Sequence, residues 1–423
     1  MKGKYMPRIA DRILKDKLEA KGAVLLAGAK WCGKTSTAEQ IAGSVLYMQD
    51  PRQKEQNLKL AKLDPGLLLA GATPRLIDEW QLAPSLWDAV RFEVDQRDAY
   101  NQFILTGSAV PSEDMSKSHS GTGRIARMTM RPMSLFESED SNGTVSLGQL
   151  FAGQKEASAR AELDLRQIAY LICRGGWPKA LGYSERIALR QAYDYYDAVV
   201  ESDISTTDGV ARDRQRVRLL MRSYARSVSS DAKLTSIKAD MAANDADTLS
   251  TDTIYAYINA LKGIFVIEDL PAWSPRLRSA TAIRTSDTRH FVDPSIAIAA
   301  LGIGPDDLLR DLNTMGLLFE SMCIRDLRIY AEALDGTVCH YRDKTGLECD
   351  AIVHLRNGSY GLVEVKLGGD DIEMAAENLK ALRDKIDLDR MPPPSFMIIM
   401  TGTPYAYCRE DGVFVIPVGC LRV

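Results

Sequence analysis

The stretch of the chain that most clearly predicts chemistry is a glycine-bearing loop after a short apolar run. The run begins at Ala23, and the loop reads Gly-Ala-Lys-Trp-Cys-Gly-Lys-Thr from Gly28 to Thr35. This is the Gly-x-x-x-x-Gly-Lys-Thr pattern of a P-loop, and the segment after it is compatible with a helix, as the motif requires. The alternative is a chance match. The pattern favours a nucleotide site, which we expect to bind ATP with Mg²⁺.

The predicted cofactor-binding residues of this loop each have a physical role. Gly28 and Gly33 let the backbone turn tightly, so that successive N–H groups point toward one phosphate. The helix that follows adds the positive end of its dipole. We expect Lys34 to reach the β- and γ-phosphates as a point charge, and Thr35 to hold Mg²⁺ through its hydroxyl.

Two adjacent acids end the next strand-like run, Arg75-Leu-Ile-Asp-Glu. In P-loop ATPases the first such acid holds Mg²⁺ and the second polarises the attacking water. We therefore predict that Asp78 binds metal and nucleotide and that Glu79 is catalytic. Because successive residues of a strand face opposite ways, Glu79 must lie where the strand frays into a loop. An ordinary strand end is the alternative.

A third apolar run, Phe-Ile-Leu-Thr-Gly-Ser from Phe103, also ends in hydroxyl side chains. In an open parallel sheet, ligands bind outside the carboxyl ends of the strands, so Ser108 or Thr106 is a candidate sensor of the γ-phosphate. An ordinary strand-to-loop turn is equally compatible. Three strands that end in nucleotide chemistry predict a doubly wound α/β ATPase domain.

The composition of the chain sets broad limits. Its 423 residues predict two to four domains, and the 45% hydrophobic and 26% charged residues are typical of a soluble globular protein. The formal net charge of -4 gives no overall basic field, although a local basic surface is compatible with it. Seven cysteines without a Cys-x-x-Cys pair indicate reduced thiols. Without a signal-peptide pattern or a membrane-length apolar run, we expect a cytoplasmic protein with no membrane partner.

Five motifs together resemble one known family. They are GAKWCGKT, LIDEWQ, FILTGS, GRIARMTMRPMSLFE and GGWPKAL. The chain is similar over nearly its whole length to a bacterial and archaeal group of AAA+-type ATPases that carry a C-terminal domain with a restriction-nuclease-like fold. Lys30 stands where that family usually has Arg. The resemblance also implies that Arg124 is an arginine finger, acting in cis or on a neighbouring subunit of a homo-oligomer. A solvated arginine is the alternative.

The middle of the chain reads as helical. Residues 141–212 predict a helical lid. Three helix candidates, at 217–227, 234–241 and 252–261, precede a β pattern at 263–270, which is the plan of a winged helix. The arginines that follow could contact DNA phosphates: Arg276, Arg278, Arg284 and Arg289. A winged helix used only for packing or dimerisation is the alternative.

A second candidate site lies near the C-terminus, on two strand patterns around an Asn-Gly turn. Glu364 and Lys366 are two residues apart on the second strand and share one face. A two-residue turn would put Asp350 on the wrong face, whereas a three-residue turn, 356–358, puts it opposite Glu364. Upstream, Glu320 lies on the apolar stripe of a helix.

These four side chains match the PD-(D/E)xK nuclease arrangement, in which carboxylates bind Mg²⁺ and the lysine positions or activates water. We predict Asp350, Glu364 and Lys366 as catalytic, and Glu320, Asp350 and Glu364 as metal ligands. A surface hairpin with ordinary charges is the alternative, and this fold also serves as a binding module.

The sequence thus predicts four segments: a P-loop ATPase domain (1–140), a helical lid (141–212), a winged helix (213–310) and a nuclease-like domain (311–423). The leading hypothesis is ATP hydrolysis coupled to nucleic-acid binding or cleavage. The rival is a regulatory ATPase whose C-terminal domain binds a protein or DNA without cutting it. A third hypothesis is an ATP-binding switch with slow hydrolysis.

Overall fold

The computed structural model describes residues 5–109, 121–204, 210–243, 249–275 and 284–423. The chain divides into two compact units. The first unit consists of Met1–Pro132, Ser202–Ala211 and Asn259–Val266. The second consists of Met133–Glu201, Arg212–Ile258 and Ile267–Val423. The predicted DNA contacts Arg276 and Arg278 lie outside the described residues. The lid and nuclease-like segments of the sequence prediction fall mostly within the second unit, and the four-segment division stays a prediction.

The described helices and strands alternate in the first part of the chain and are segregated later. The α-helices are α1 (Ile9–Ala20), α2 (Lys34–Glu39), α3 (Lys54–Leu63), α4 (Ser85–Arg97), α5 (Leu147–Phe151), α6 (Leu165–Arg174), α7 (Glu185–Ala198), α8 (Arg214–Ala225), α9 (Leu234–Ala242), α10 (Thr251–Gly263), α11 (Pro294–Leu301), α12 (Pro305–Arg310), α13 (Leu312–Ala333) and α14 (Ile372–Lys385). The strands are β1 (Ala23–Gly28), β2 (Ser44–Tyr47), β3 (Arg75–Asp78), β4 (Phe103–Gly107), β5 (Ile125–Met130), β6 (Val145–Ser146), β7 (Ala159–Arg160), β8 (Gly336–Arg342), β9 (Glu348–Leu355), β10 (Tyr360–Lys366), β11 (Phe396–Thr401), β12 (Tyr405–Cys408), β13 (Phe414–Pro417) and β14 (Leu421–Arg422). None of these described helices is both long and apolar enough to cross a membrane.

The first unit contains a five-stranded parallel sheet in the order β2-β3-β4-β1-β5. The two neighbouring strands β1 and β4 are mostly apolar and almost entirely buried, as expected where both faces of a parallel sheet are covered. Val24 and Leu26 pack in one cluster with Leu14 of α1, whereas Leu25 packs in another with Val90 of α4. The α/β fold with a parallel sheet that the sequence predicts is therefore confirmed for this unit.

The second unit contains a seven-stranded sheet in the order β7-β12-β13-β11-β10-β9-β8. Strand β9 pairs antiparallel with both β8 and β10, whereas β11 pairs parallel with both β10 and β13. Helix α13 precedes this group, and α14 connects β10 to β11 because parallel neighbours need a crossover. The chain therefore runs helix, three antiparallel strands, helix, strand through this region.

The hairpin between β9 and β10 has the predicted register. Val363 pairs with Ala351 and Leu362 with Ile352, so the same register sets Glu364 opposite Asp350. Gly358 closes the three-residue turn with a φ of 89°, the left-handed conformation that glycine adopts without strain. The predicted three-residue turn is confirmed, and with it the placement of the two carboxylates on one face.

The predicted helices of the middle segment are present as α8, α9 and α10, but residues 263–270 form no regular strand pair with any other described residue. Ile267 and Leu270 make only isolated bridges, to Phe291 and Thr288. The winged helix is therefore not confirmed. The predicted phosphate contact of Arg289 is wrong, because its side chain is mostly buried and pairs with Asp269 at 2.8 Å. Arg284 is more exposed and pairs with Asp231 at 3.2 Å.

A buried ion cluster organises the interior of the second unit. Arg325 of α13 is 2% exposed and contacts two carboxylates, Asp293 at 2.9 Å and Asp326 at 2.7 Å. Asp293 also accepts the N–H of Gly176, and Asp326 accepts that of Leu135. The guanidinium thus lies between two buried carboxylates, each of which also accepts a backbone N–H from a separate loop.

We expect Arg325→Met to destabilise the second unit by about 3–5 kcal/mol, because it leaves buried carboxylates without their counter-charge. Urea unfolding would measure the loss. Arg166→Met is the control, since Arg166 is exposed and its pairing with exposed Asp306 should contribute about 0.5 kcal/mol or less. Equal unfolding midpoints for both variants would contradict the role assigned to the cluster.

Candidate functional site

The P-loop connects β1 to α2 and turns through two glycines with positive φ angles. Gly28 has a φ of 156° and Gly33 of 107°. A Cβ at Gly28 would lie 2.1 Å from the backbone oxygen of Met130, so no larger residue fits there. Lys34 is buried, and its Nζ donates to the carbonyl oxygens of Gly28 at 2.9 Å and Ala29 at 2.8 Å. The lysine is therefore held inside the loop that the sequence predicts to cradle phosphate.

The carboxylate of Asp78 joins three elements at the carboxyl edge of the sheet. It is 1% exposed and ends β3. Its Oδ1 accepts the hydroxyls of Thr35 at 2.6 Å and Thr106 at 2.7 Å. Hydroxyl and carboxylate oxygens are donors that suit Mg²⁺, so Thr35 and Asp78 fit the predicted cation. Thr106, one of the two candidate γ-phosphate sensors, donates to Asp78, and the sensor role of Ser108 or Thr106 stays a prediction.

Glu79 leaves the strand as predicted. Its φ of 55° and ψ of 46° place it in the left-handed region, where a residue other than glycine is uncommon. Its Oε2 accepts hydrogen bonds from the hydroxyl of Ser108 at 3.2 Å and from the Nε2 of Gln81. Sequence reasoning missed Gln81, although an amide two residues after the acid was visible in the motif.

Lys30, which departs from the family pattern, has a specific partner. Its Nζ lies 2.6 Å from Oδ1 of Asp203, whose carboxylate is mostly buried. The partner is 173 positions away in the sequence, so no local pattern could have indicated it. The pair ties the P-loop to the segment that begins at Ser202, which belongs to the same unit.

The predicted arginine finger Arg124 does not lie beside the nucleotide site in cis. Its carbonyl accepts the N–H of Ala23, at the amino end of β1, whereas the P-loop follows the carboxyl end. Its guanidinium is 45% exposed and pairs with Asp95 at 2.7 Å. The assignment in cis is therefore wrong, because the amino and carboxyl ends of parallel strands lie at opposite edges of the sheet. A role in trans stays a prediction.

The C-terminal candidate residues come together around one ammonium group. The Nζ of Lys366 lies 2.9 Å from Oε2 of Glu364 and 3.6 Å from Oδ2 of Asp350. The same Asp350 oxygen accepts the N–H of Val365 at 2.8 Å. Glu364 is 1% exposed, and its Oε1 is buried with no hydrogen-bond partner in the structure.

Burial and neighbouring charges shift the pKa values of Glu364, Glu320 and Lys366. Burial and the charge of Asp350 raise the pKa of Glu364 well above its usual range, and Lys366 acts against that rise. Burial and Asp350 also raise the pKa of Glu320, with a further contribution from Glu364. Asp350 and Glu364 raise the pKa of Lys366 against the effect of burial. Glu320 on α13 therefore lies within electrostatic range of the other three.

The cluster does not form a complete metal cage. Across the described ranges, no group of three or more His, Cys, Asp or Glu side chains is arranged to hold a metal ion. The buried, unpartnered Oε1 of Glu364 and the oxygens of Asp350 fit a hard cation that keeps several waters. Lys366 supplies the positive charge between them. The predicted metal role of Glu320 stays a prediction.

Three parts of the chain match known families of protein domains. Residues 20–139 match the sequence model of an AAA domain. This part of the chain is an AAA-like ATPase domain. Nucleotide binding follows from that match, and such domains usually use Mg²⁺. Beyond the AAA-like domain, residues 165–307 match a domain of unknown function, DUF8612, and residues 315–421 match another, DUF4143.

Relatives extend beyond the AAA-like domain. Two are the uncharacterized proteins Mb2031c of Mycobacterium bovis and Rv2008c of Mycobacterium tuberculosis, each 25% identical over 367 residues, which span 85% of this chain and 73% of the relative. Among solved structures, the Walker-type ATPase PABY2304 of Pyrococcus abyssi is 16% identical with a TM-score of 0.45, covering 70% of this chain and 96% of that one. A variant of RuvB of Thermotoga maritima is 16% identical with a TM-score of 0.23, covering 62% and 87%.

We expect Lys366→Met to destabilise the second unit on the order of 3 kcal/mol at pH 8, because Glu364 loses its counter-charge. Without Lys366 the pKa of Glu364 rises further in the folded state. At a pH below the ordinary pKa of a carboxyl group, Glu364 is protonated in both states and the folded state keeps its stability. That stability is lost as the pH rises through the raised pKa of folded Glu364. The loss should therefore be smaller at pH 5 than at pH 8.

Urea unfolding at the two pH values would measure the loss. Lys380→Met, which breaks a more exposed pair with Asp411, is the control and should show little pH dependence. A loss for Lys366→Met that is equal at both pH values would show that Lys366 does not neutralise Glu364.

Proposed function

We propose that this chain is a Mg²⁺-dependent ATPase whose AAA-like domain acts with a carboxylate–lysine site that binds or cleaves nucleic acid. The observation that supports the ATPase most directly is the hydrogen bonding of Thr35 and Thr106 to Asp78, with Glu79 beside them. A P-loop hydroxyl, a buried carboxylate and a second carboxylate at one sheet edge are the groups that hydrolysis of a phosphoanhydride requires.

The residues of the AAA-like domain divide the work of hydrolysis. Lys34 exchanges the carbonyls of Gly28 and Ala29 for phosphate oxygens. Mg²⁺, when bound through Thr35 and Asp78, neutralises charge on the phosphates. Glu79 accepts a proton from the attacking water while the water oxygen bonds to the γ-phosphorus and the bond to the β-phosphate oxygen breaks.

We expect Glu79→Gln to bind ATP with the affinity of the parent protein but to hydrolyse it about 100-fold more slowly, because an amide cannot take up the proton. A steady-state phosphate-release assay and titration with a fluorescent ATP analogue would measure the two quantities. Lys34→Ala is the control that should lose binding. Parental hydrolysis in Glu79→Gln would remove Glu79 from the reaction.

The second site supports action on nucleic acid through its resemblance to PD-(D/E)xK nucleases. The chain order of helix α13, strands β8 to β10, helix α14 and strand β11 suits that fold. Asp350 lies opposite Glu364, Lys366 follows two residues later, and Glu320 comes from the preceding helix. In such a site, carboxylates bind Mg²⁺ or Mn²⁺, and the lysine holds or activates the water that attacks a phosphodiester.

One observation favours the rival function, a binding module that does not cut. The ammonium of Lys366 already pairs with Glu364 and Asp350, and a cation must compete with it. A protein or nucleic-acid partner could then use the fold without chemistry. The proposed partners of the chain are DNA and other copies of the same chain. The catalytic roles proposed for Asp350, Glu364 and Lys366 require that cleavage be observed.

We expect the parent protein to cleave labelled single- or double-stranded DNA or RNA with Mg²⁺ or Mn²⁺, and Asp350→Asn to cleave at least about 100-fold more slowly, because the variant loses a charged cation ligand. Reactions with and without ATP test the coupling of the two sites. Asp411→Asn, which changes a carboxylate outside the cluster, is the control. Cleavage that persists in Asp350→Asn would contradict the site, and a parent protein that hydrolyses ATP but cuts nothing would favour the binding module.

A further inference from the structure

Gln81 makes a contact that the functions described above do not use. It lies in a 3₁₀ segment of one turn, Trp80–Leu82, directly after Glu79. Its Nε2 donates to Oε2 of Glu79, and the hydroxyl of Ser108 donates to the same oxygen at 3.2 Å. Neither of these hydrogen bonds is made to Oε1 of Glu79. The two oxygens of this carboxylate are therefore distinguished, one held by two donors and the other left for a different partner.

The other end of the Gln81 carboxamide lowers the stability of the fold. Its Oε1 is buried and accepts no hydrogen bond in the structure. It lies against Gly107 at the end of β4, where an added Cβ would come within 2.9 Å of it. A buried acceptor without a donor costs free energy that an apolar side chain of similar size would not. Stability alone therefore does not account for a glutamine here.

The orientation of the amide follows from charge. An ionised carboxylate only accepts hydrogen bonds, so the NH₂ group of Gln81 must face Glu79 and its oxygen must face away. The left-handed backbone of Glu79 carries its side chain out of the strand, where it has no strand neighbours to hold it. Gln81 and Ser108 supply that restraint from the two sides, one from the following turn and one from the next strand end.

We propose that Gln81 is a positioning residue for ATP hydrolysis, an inference that rests on the proposed ATPase function. Its carboxamide, with the hydroxyl of Ser108, holds Oε2 of Glu79 and turns Oε1 toward the water that attacks the γ-phosphorus. The proton of that water passes to Glu79, and Gln81 takes no part in the proton transfer. A base that is already held in the reactive orientation loses little conformational entropy in the transition state, and the reaction is faster for that reason.

The test uses the full chain with Gln81→Leu, which keeps the size of the side chain and removes the donor. We expect kcat to fall about 10- to 100-fold while KM and the dissociation constant for a fluorescent ATP analogue stay within about twofold, since positioning acts in the transition state. Thermal stability should stay close to that of the parent, because the variant removes the unpaired amide oxygen together with the hydrogen bond to Glu79. Gln81→Glu, which places a like charge beside Glu79, should also lose kcat.

Two further variants separate positioning from a structural effect. Gln102→Leu changes a partly buried glutamine at the amino end of β4 and should leave kcat unchanged. In a Glu79→Gln background, Gln81→Leu should cause little further loss in single-turnover hydrolysis, because both act through one carboxylate. An independent structural effect would instead multiply with that of Glu79→Gln.

The outcomes distinguish the inference from the function on which it rests. Parental kcat in Gln81→Leu, or a loss that multiplies fully with that of Glu79→Gln, overturns the inference and leaves the ATPase intact. A parent protein that binds the ATP analogue but does not hydrolyse ATP overturns the proposed function, and the inference with it.

Discussion

The hydrogen bonds that Thr35 and Thr106 donate to the carboxylate of Asp78 are the interaction on which the rest of the AAA-like domain depends. A carboxylate that is 1% exposed must be compensated, and here two hydroxyls do so, one from the first turn of α2 and one from β4. The compensation fixes the carboxyl ends of three neighbouring strands relative to one another. The P-loop, Asp78 and Glu79 are placed together because the parallel sheet brings those ends to one edge.

The C-terminal site meets the same constraint with charge instead of hydroxyls. Glu364 is as buried as Asp78, but its compensation comes from the ammonium of Lys366, and one of its oxygens has no partner. The same cluster of charges is therefore compatible with two functions. A cation that displaces the ammonium would make a catalytic site, whereas an ammonium that stays in place keeps the carboxylates paired and leaves the fold to act as a binding module.

Local patterns in the sequence were sufficient for the elements that local physics determines. The P-loop glycines, the exit of Glu79 from its strand and the three-residue turn at Gly358 all follow from backbone conformation and strand alternation, and the structure agrees with each. The register of the hairpin also followed, because a shift by one residue would have moved Asp350 to the opposite face.

Long-range placement could not be obtained in the same way. Arg124 was assigned by motif, but its position at the amino end of β5 depends on how the sheet is assembled. The partner of Lys30 is remote in sequence, and Arg289 turned out to be buried against Asp269. Gln81 is the instructive omission, because its position in the motif was visible, whereas the orientation of its amide toward Glu79 required coordinates.

Anomalous diffraction from Mn²⁺, in crystals grown with a non-hydrolysable ATP analogue, would show whether Thr35 and Asp78 bind the cation. We expect a manganese peak beside the hydroxyl of Thr35 and within reach of Asp78, directly or through one water, with the phosphates of the analogue on Lys34. An analogue bound elsewhere, or bound on the P-loop with no manganese near Thr35 and Asp78, would contradict this expectation.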